Sequence, residues 1–218
     1  NEYQLLRVFE IIFNCFTLAE DAEFTIECNP ATADTNKLKV LKQAGINRLS
    51  LGVQSNSDAI LKAIGRVHSY KDFLRTYNDA REAGFDNINI DIMYGLPGQT
   101  FSHLYDFIGE IELLRPEHVS AYSLILEEGT PLYVSAENGS TALPDNDVVA
   151  DMMQYINNTL PKTGYSRYEI SNFAQPEREC RHNLLYWSRG NYIGLGCAAH
   201  SLWNEKRREN TPDIQNYI

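Results

Sequence analysis

The feature that most constrains this chain is a recurring unit: an amphipathic helix, a helix breaker, then a strand. A helix over 34–44 behind the N-cap candidate Asp34, with Leu38 and Leu41 on one face, stops at Gly45, and Arg48–Gln54 follows as a strand. A helix over 70–83 stops at Gly84 ahead of Asn87–Tyr94. A helix over 102–114 stops before Pro116 ahead of His118–Leu126. A helix over 146–162, behind Asp145, stops at Gly164 ahead of Ser166–Ile170. Glycine supplies the left-handed turn that closes a helix, and proline cannot continue one. The strand Thr25–Asn29 follows an N-terminal helix with Leu5, Phe9, Ile12, Phe13 and Phe16 along one face.

Strands alternating with helices imply an α/β fold with a parallel sheet and right-handed crossovers. The parity within the strands narrows this. In Thr25–Asn29 the polar set is Thr25, Glu27 and Asn29. In Arg48–Gln54 it is Arg48, Ser50, Gly52 and Gln54, opposite Leu49, Leu51 and Val53. In Ile88–Met93 it is Asn89 and Asp91, opposite Ile88, Ile90 and Ile92. A doubly wound sheet buries both faces and reads apolar throughout. One polar and one aliphatic face instead predict a barrel or half-barrel with a polar lumen, whose functional groups sit at the C-terminal strand ends. Glu27, Gln54 and Asp91 lie near those ends. The strands at 25–29, 48–54, 87–94 and 118–126 are too few to close a barrel. The sheet is therefore expected to stay open or to continue in strands upstream. After about residue 131 the chain becomes richer in Tyr, Asn and short turns, so the expected division is a partial barrel over 1–130 and an appended region over 131–218.

Composition excludes several classes. With 29 acidic and 19 basic residues the formal charge is −10, which argues against nucleic acid as the main partner and against docking on anionic lipid. No apolar run reaches the length of a transmembrane segment. Cys15, Cys28, Cys180 and Cys197 have no close spacing, so neither a disulfide framework nor a zinc knuckle is expected, and a reduced, cytoplasmic chain is.

Several residues carry candidate chemistry. Glu27 could hold an ammonium or hydroxyl group; the competing reading is a solvated strand-end carboxylate. Gln54 both donates and accepts, as a ribose diol requires. Arg66, after Gly65, could grip a carboxylate with two parallel bonds. Asp91 is the least bland of these, because a carboxylate inside an aliphatic strand is costly unless paired. Gly194-Leu195-Gly196-Cys197-Ala198-Ala199 imitates a dinucleotide fingerprint but lacks its strand and helix context, leaving close backbone approach as the better reading. Cys180, His182, Tyr186 and Trp187 gather a thiol, an imidazole and two aromatics, which suit either a flat iron-bearing ligand or an aromatic satellite core.

Taken together, these blocks resemble a known family. Glu27-Cys28-Asn29-Pro30, Asn47–Ser55, Gly65-Arg66-x-His68 and Asn89–Thr100 occur in order, followed by Ser120–Leu124, Glu128–Pro131, Arg167–Ala174 and Gly194–Ser201. The sequence resembles the radical S-adenosylmethionine (SAM) proteins of the oxygen-independent coproporphyrinogen oxidase superfamily. Within it, His182-Asn183-Leu184-Leu185-Tyr186-Trp187 is similar to the motif of the HemW-type haem chaperones. The resemblance implies a partial (β/α)6 barrel followed by part of an α+β C-terminal region. It implies SAM contacts from Glu27, Gln54, Arg66, Asp91, Ile125 and His200, and haem contacts from His182, Tyr186 and Trp187. It also implies a [4Fe–4S] cluster, an electron donor for it, and a haem-accepting partner protein. The alternative within the superfamily is radical oxidative decarboxylation of coproporphyrinogen III. An unrelated (β/α) aldolase or lyase is disfavoured, since no strand end carries a Schiff-base lysine. The family's Cys-x-x-x-Cys-x-x-Cys is absent, so the chain is expected to be part of a longer protein, with the cluster ligands on strands upstream of Asn1.

Overall fold

In the computed structural model, which describes residues 2–218, the repeating units assemble side by side in chain order. Helix α1 (Glu2–Cys15) leads to β1 (Thr25–Cys28), and α2 (Thr35–Gln43) to β2 (Arg48–Gln54). Helices α3 (Asp58–Ala63) and α4 (Tyr70–Glu82) precede β3 (Ile88–Tyr94), and α5 (Phe101–Leu114) precedes β4 (His118–Ser123). Helices α6 (Pro131–Glu137) and α7 (Asn146–Thr159) are followed by the short strands β5 (Ser166–Arg167) and β6 (Asn172–Ala174). The sheet order is β1-β2-β3-β4-β6-β5, parallel from β1 to β4 and antiparallel where β6 joins β4 and β5. Parallel crossovers share one hand. A strand order that never reverses therefore puts the connecting helices on one face, as in a barrel wall, and leaves the other face to the polar residues.

The side chains follow this division. Leu49, Leu51, Val53, Ile88, Ile90, Ile92 and Val119 are fully buried, packed with Leu38, Phe73, Leu104 and Phe107 of the helices. The helix boundaries have local causes. Asp34 caps α2 by accepting from the Lys37 amide at 2.8 Å. Ser69 and Asp72 form a reciprocal capping box on α4, the kind of cap worth about 1 kcal/mol. Gly45 and Gly84 stand at φ of 94° and 91°, the left-handed turns the sequence predicts.

A single ion pair ties α4 to the start of two strands. Arg81 donates from Nη1 and Nη2 to the two Glu117 oxygens at 2.8 and 3.1 Å, and the Ile88 amide donates to Glu117 Oε2 at 2.8 Å. Glu117 thereby pins the loop before β4 to the first residue of β3.

Residues 131–178, beyond the composition change, belong to the first of two compact units, which ends at Arg178. The second unit, Glu179–Ile218, holds α8 (Arg181–Trp187), the hairpin β7 (His200–Trp203) and β8 (Lys206–Glu209), and α9 (Ile214–Tyr217). Its glycine-rich loop runs into a strand, not a helix. A Cβ on Gly194 would stand 2.2 Å from the His200 carbonyl oxygen, so close backbone approach is what that loop uses its glycine for. Among the described residues no helix is long and apolar enough to cross a membrane.

Candidate functional site

The polar face of the sheet is built in rungs. Register sets Glu27 opposite Ser50, Ser50 opposite Asn89, and Asn89 opposite His118. The next rung runs Gly52, Asp91, Ser120 and Asn172. Asp91, in this second rung, reaches back to the first. Its Oδ1 accepts from Asn89 Nδ2 at 2.7 Å and its Oδ2 from Ser50 Oγ at 3.2 Å. An ionised carboxylate only accepts, so the Asn89 nitrogen must face it. The Asn89 oxygen therefore faces His118 Nδ1 at 2.6 Å and Ser120 Oγ at 3.1 Å, and both donate to it. His118 is then the Nδ1–H tautomer, and its Nε2 accepts from the Tyr168 hydroxyl at 2.8 Å. Burial, reinforced by the nearby Arg48 charge, pushes the His118 pKa down to about 3, so the ring stays neutral as that bonding pattern requires.

Burial also raises the Asp91 pKa above the usual carboxylate range, and hydrogen bonds from Asn89, Ser120 and Ser50 oppose that shift. The Glu27 charge adds to the rise, which places both carboxylates within electrostatic reach of each other. Two acids facing one polar surface make a region that attracts cationic and hydroxylic groups.

Gln54 closes β2 in an unusual way. The register slips between Gly52 and Gln54, and Gln54 takes φ 62°, a left-handed conformation uncommon for a non-glycine residue. Its side chain is buried, yet Oε1 has no hydrogen-bond partner. A strained residue with an unsatisfied buried acceptor fits a position that a ligand completes. Arg66 donates from Nη1 to Asn29 Oδ1 at 3.1 Å, which ties it to the segment two residues past Glu27. Ile125 lies in the loop after β4 and is 77% exposed.

The remaining sequence candidates sit in the second unit. On α8, His182 and Tyr186 are one turn apart, with ring centroids 4.3 Å apart at 55°. Tyr186 meets Tyr192 at 4.3 Å and 45°, making a run of three mutually tilted rings. Trp187 ends α8, about half exposed, and His200 opens β7 on the surface. Cys180, the N-cap of α8, is a buried thiol.

Sequence reasoning left several contributors unnamed as site residues: Ser50, Asn89, His118, Ser120, Tyr168 and Tyr192. Continuing the strand parity into His118-x-Ser120 would have found the inner-face pair. Tyr168 and Tyr192 are joined to their partners only by tertiary contacts.

One glycine offers a direct test of the site. A Cβ on Gly52 would stand 2.7 Å from Gln54 Nε2, the movable end of a side chain. Gly52→Ala is expected to leave the fold intact and displace the Gln54 amide, weakening binding of a hydroxylic ligand by about tenfold, the worth of roughly one hydrogen bond. Thermal unfolding and ligand titration of the same sample separate the two effects. An unchanged affinity would remove Gln54 from the site.

Comparison with known proteins gives these geometries a context. A family model described as the radical SAM superfamily matches residues 2–111. The chain is 42% identical over 219 residues to the heme chaperone HemW of Bacillus subtilis, covering all of this chain and 58% of that protein. It is 38% identical over 215 residues to the heme chaperone HemW of Lactococcus lactis, covering 99% of this chain and 57% of that one. Among solved structures, the Escherichia coli coproporphyrinogen III oxidase HemN, a radical SAM enzyme, superposes with a TM-score of 0.83. That match has 24% identity and covers 99% of this chain and 52% of that one, so it shows a shared fold.

Proposed function

Because the chain belongs to the radical SAM superfamily, we propose that it is the SAM-holding and haem-contacting part of a protein that passes haem to an acceptor protein. It spans a little over half the length of the HemW relatives it matches, so the whole-protein activity stays within this proposal. The observation that carries the haem assignment is the run of tilted rings His182, Tyr186 and Tyr192, in a chain 42% identical to a heme chaperone. An imidazole beside two phenol rings offers both an axial nitrogen and apolar ring faces to a metalloporphyrin.

The sheet face fits SAM on the donor set present. Asp91 and Glu27 suit the ammonium and ribose hydroxyls, Gln54 has the unsatisfied oxygen a hydroxyl would fill, and Arg66 suits the methionine carboxylate. This reading assigns Ile125, in the loop after β4, to the adenine. When bound, SAM supplies a sulfonium whose bond one-electron reduction can break. The chain's own part is orientation: Asn89 and Ser50 hold the Asp91 oxygens in place, and neutral His118 fixes which way the Asn89 amide points. The residues do not fit a cluster. Among the described residues no group of three or more His, Cys, Asp or Glu is placed to hold a metal, so no step is routed through one. The cluster and its electron donor enter this proposal through the family alone.

The test is a haem titration of the full-length protein followed in the Soret band. His182→Ala is expected to weaken binding at least about tenfold, as loss of an axial ligand would. Cys180→Ser is expected to leave binding unchanged, because that thiol is buried at the helix cap. Loss only in the cysteine variant would move the ligand. Unchanged binding in both variants would remove the main reason for preferring the chaperone over the decarboxylase.

A further inference from the structure

Beside these tilted rings the second unit has an open cavity of about 380 Å³, lined by Tyr186, Arg189, Tyr192, Leu202, Glu205 and Arg207. Its floor is apolar and fixed. Leu202 is buried and pairs by two backbone hydrogen bonds with Tyr192, at 2.8 and 3.0 Å. Its walls are the phenol rings of Tyr186 and Tyr192. Its charged rim carries two guanidiniums and one carboxylate, a local excess of one positive charge in a chain whose formal charge is −10.

The backbone beneath that rim is expensive. Arg189 follows α8 at φ 56°, and Glu205 turns the β7–β8 hairpin at φ 62°. Both are left-handed positions where glycine is the cheap choice. These two turns set the Arg189 and Glu205 side chains on the rim of one concave aromatic surface.

We propose that this cavity seats the carboxylate edge of a dianionic porphyrin, with Arg189 and Arg207 each pairing with one propionate and Tyr186 and Tyr192 against the macrocycle. This rests on the haem reading above and deepens it: the ligand class is a planar tetrapyrrole bearing two carboxylates on one side. Guanidinium matches carboxylate geometry with two parallel bonds, which a point charge cannot reproduce. Glu205, on the same rim, works against any carboxylate beyond the two that the guanidiniums pair with.

The experiment compares haemin with haemin dimethyl ester, which keeps the iron and the ring and removes both charges, on the full-length protein by Soret titration. The wild type is expected to prefer haemin by about tenfold or more. The double variant Arg189→Gln/Arg207→Gln keeps the side-chain stems, and is expected to bind haemin as weakly as the diester while its diester affinity is unchanged. That retained diester binding also reports an intact fold. Arg189→Lys/Arg207→Lys is expected to recover part of the preference, and Glu205→Gln to strengthen haemin binding. A double glutamine variant that binds haemin like the wild type, or a wild type indifferent to esterification, overturns the inference. If haemin binding then still depends on His182, the haem reading stands without it. A wild type that binds neither compound overturns both.

Discussion

Asp91→Asn is expected to weaken SAM binding about ten- to hundredfold in the full-length protein while leaving the fold at least as stable. The size follows from losing one charge-assisted bond, about 1.5–3 kcal/mol. The substitution keeps the shape and hydrogen-bonding reach, so Asn89 still has an oxygen to donate to. The stability half has a definite sign. Burial raises the Asp91 pKa above its ordinary 3.8, so the folded protein holds that proton more tightly than the unfolded chain does. Its contribution to stability is full below the unfolded value and is lost as pH rises through the raised folded value. Above that raised value the buried charge therefore costs stability, and the neutral amide removes that cost. Calorimetric SAM titration and thermal unfolding, both run from acid to neutral pH, read the two effects together. Wild-type affinity should fall as pH drops through the raised pKa, and the variant should lack that step. A variant that binds normally, or that is markedly destabilised at neutral pH, would make Asp91 a structural residue.

The largest structural effect is expected from Glu117→Ala. The carboxylate is 15% exposed and Arg81 28%, and Glu117 also satisfies the Ile88 amide. Removing one member of a buried pair costs about 3–5 kcal/mol, because the other charge is left unpaired. Partial exposure of Arg81 brings the expectation to about 2–3 kcal/mol, since water can reach the stranded guanidinium. Glu117→Gln keeps an acceptor for Ile88 and should lose less than the alanine variant. Urea unfolding of both variants measures this. A loss under about 0.5 kcal/mol in Glu117→Ala would show that the junction of β3 and β4 holds without the pair.

What could be read from the chain itself is local. The caps and breakers at Asp34, Gly45, Gly84 and Pro116 act within a few residues, so they place the helix ends before any tertiary contact exists. Alternation in Leu49–Val53 and Ile88–Ile92 separates an aliphatic from a polar face for the same reason, since neighbouring side chains on a strand point opposite ways. That parity sufficed to expect a barrel-type sheet and to single out Asp91. The family resemblance added Ile125 and His200, which no spacing argument would have chosen.

The partners were not legible. Asp91 meets Ser50, Asn89 meets His118, and His118 meets Tyr168 only because adjacent strands adopt one register and a later loop folds back over them. A slip of one residue would turn each of these side chains to the other face. The bulge that leaves Gln54 strained, with its oxygen unsatisfied, is likewise a property of the paired strands. Tyr192 joins the His182–Tyr186 ring pair, and Arg189 the rim beside Arg207, through a backbone bridge and a hairpin within the second unit. The sequence by itself determined which elements form and which strand faces are polar, because those depend on neighbours along the chain. Only the tertiary structure decided which polar groups touch, which ring nitrogen of His118 carries the proton, and which buried acceptor is left without a hydrogen bond, because those depend on residues that pairing alone brings together.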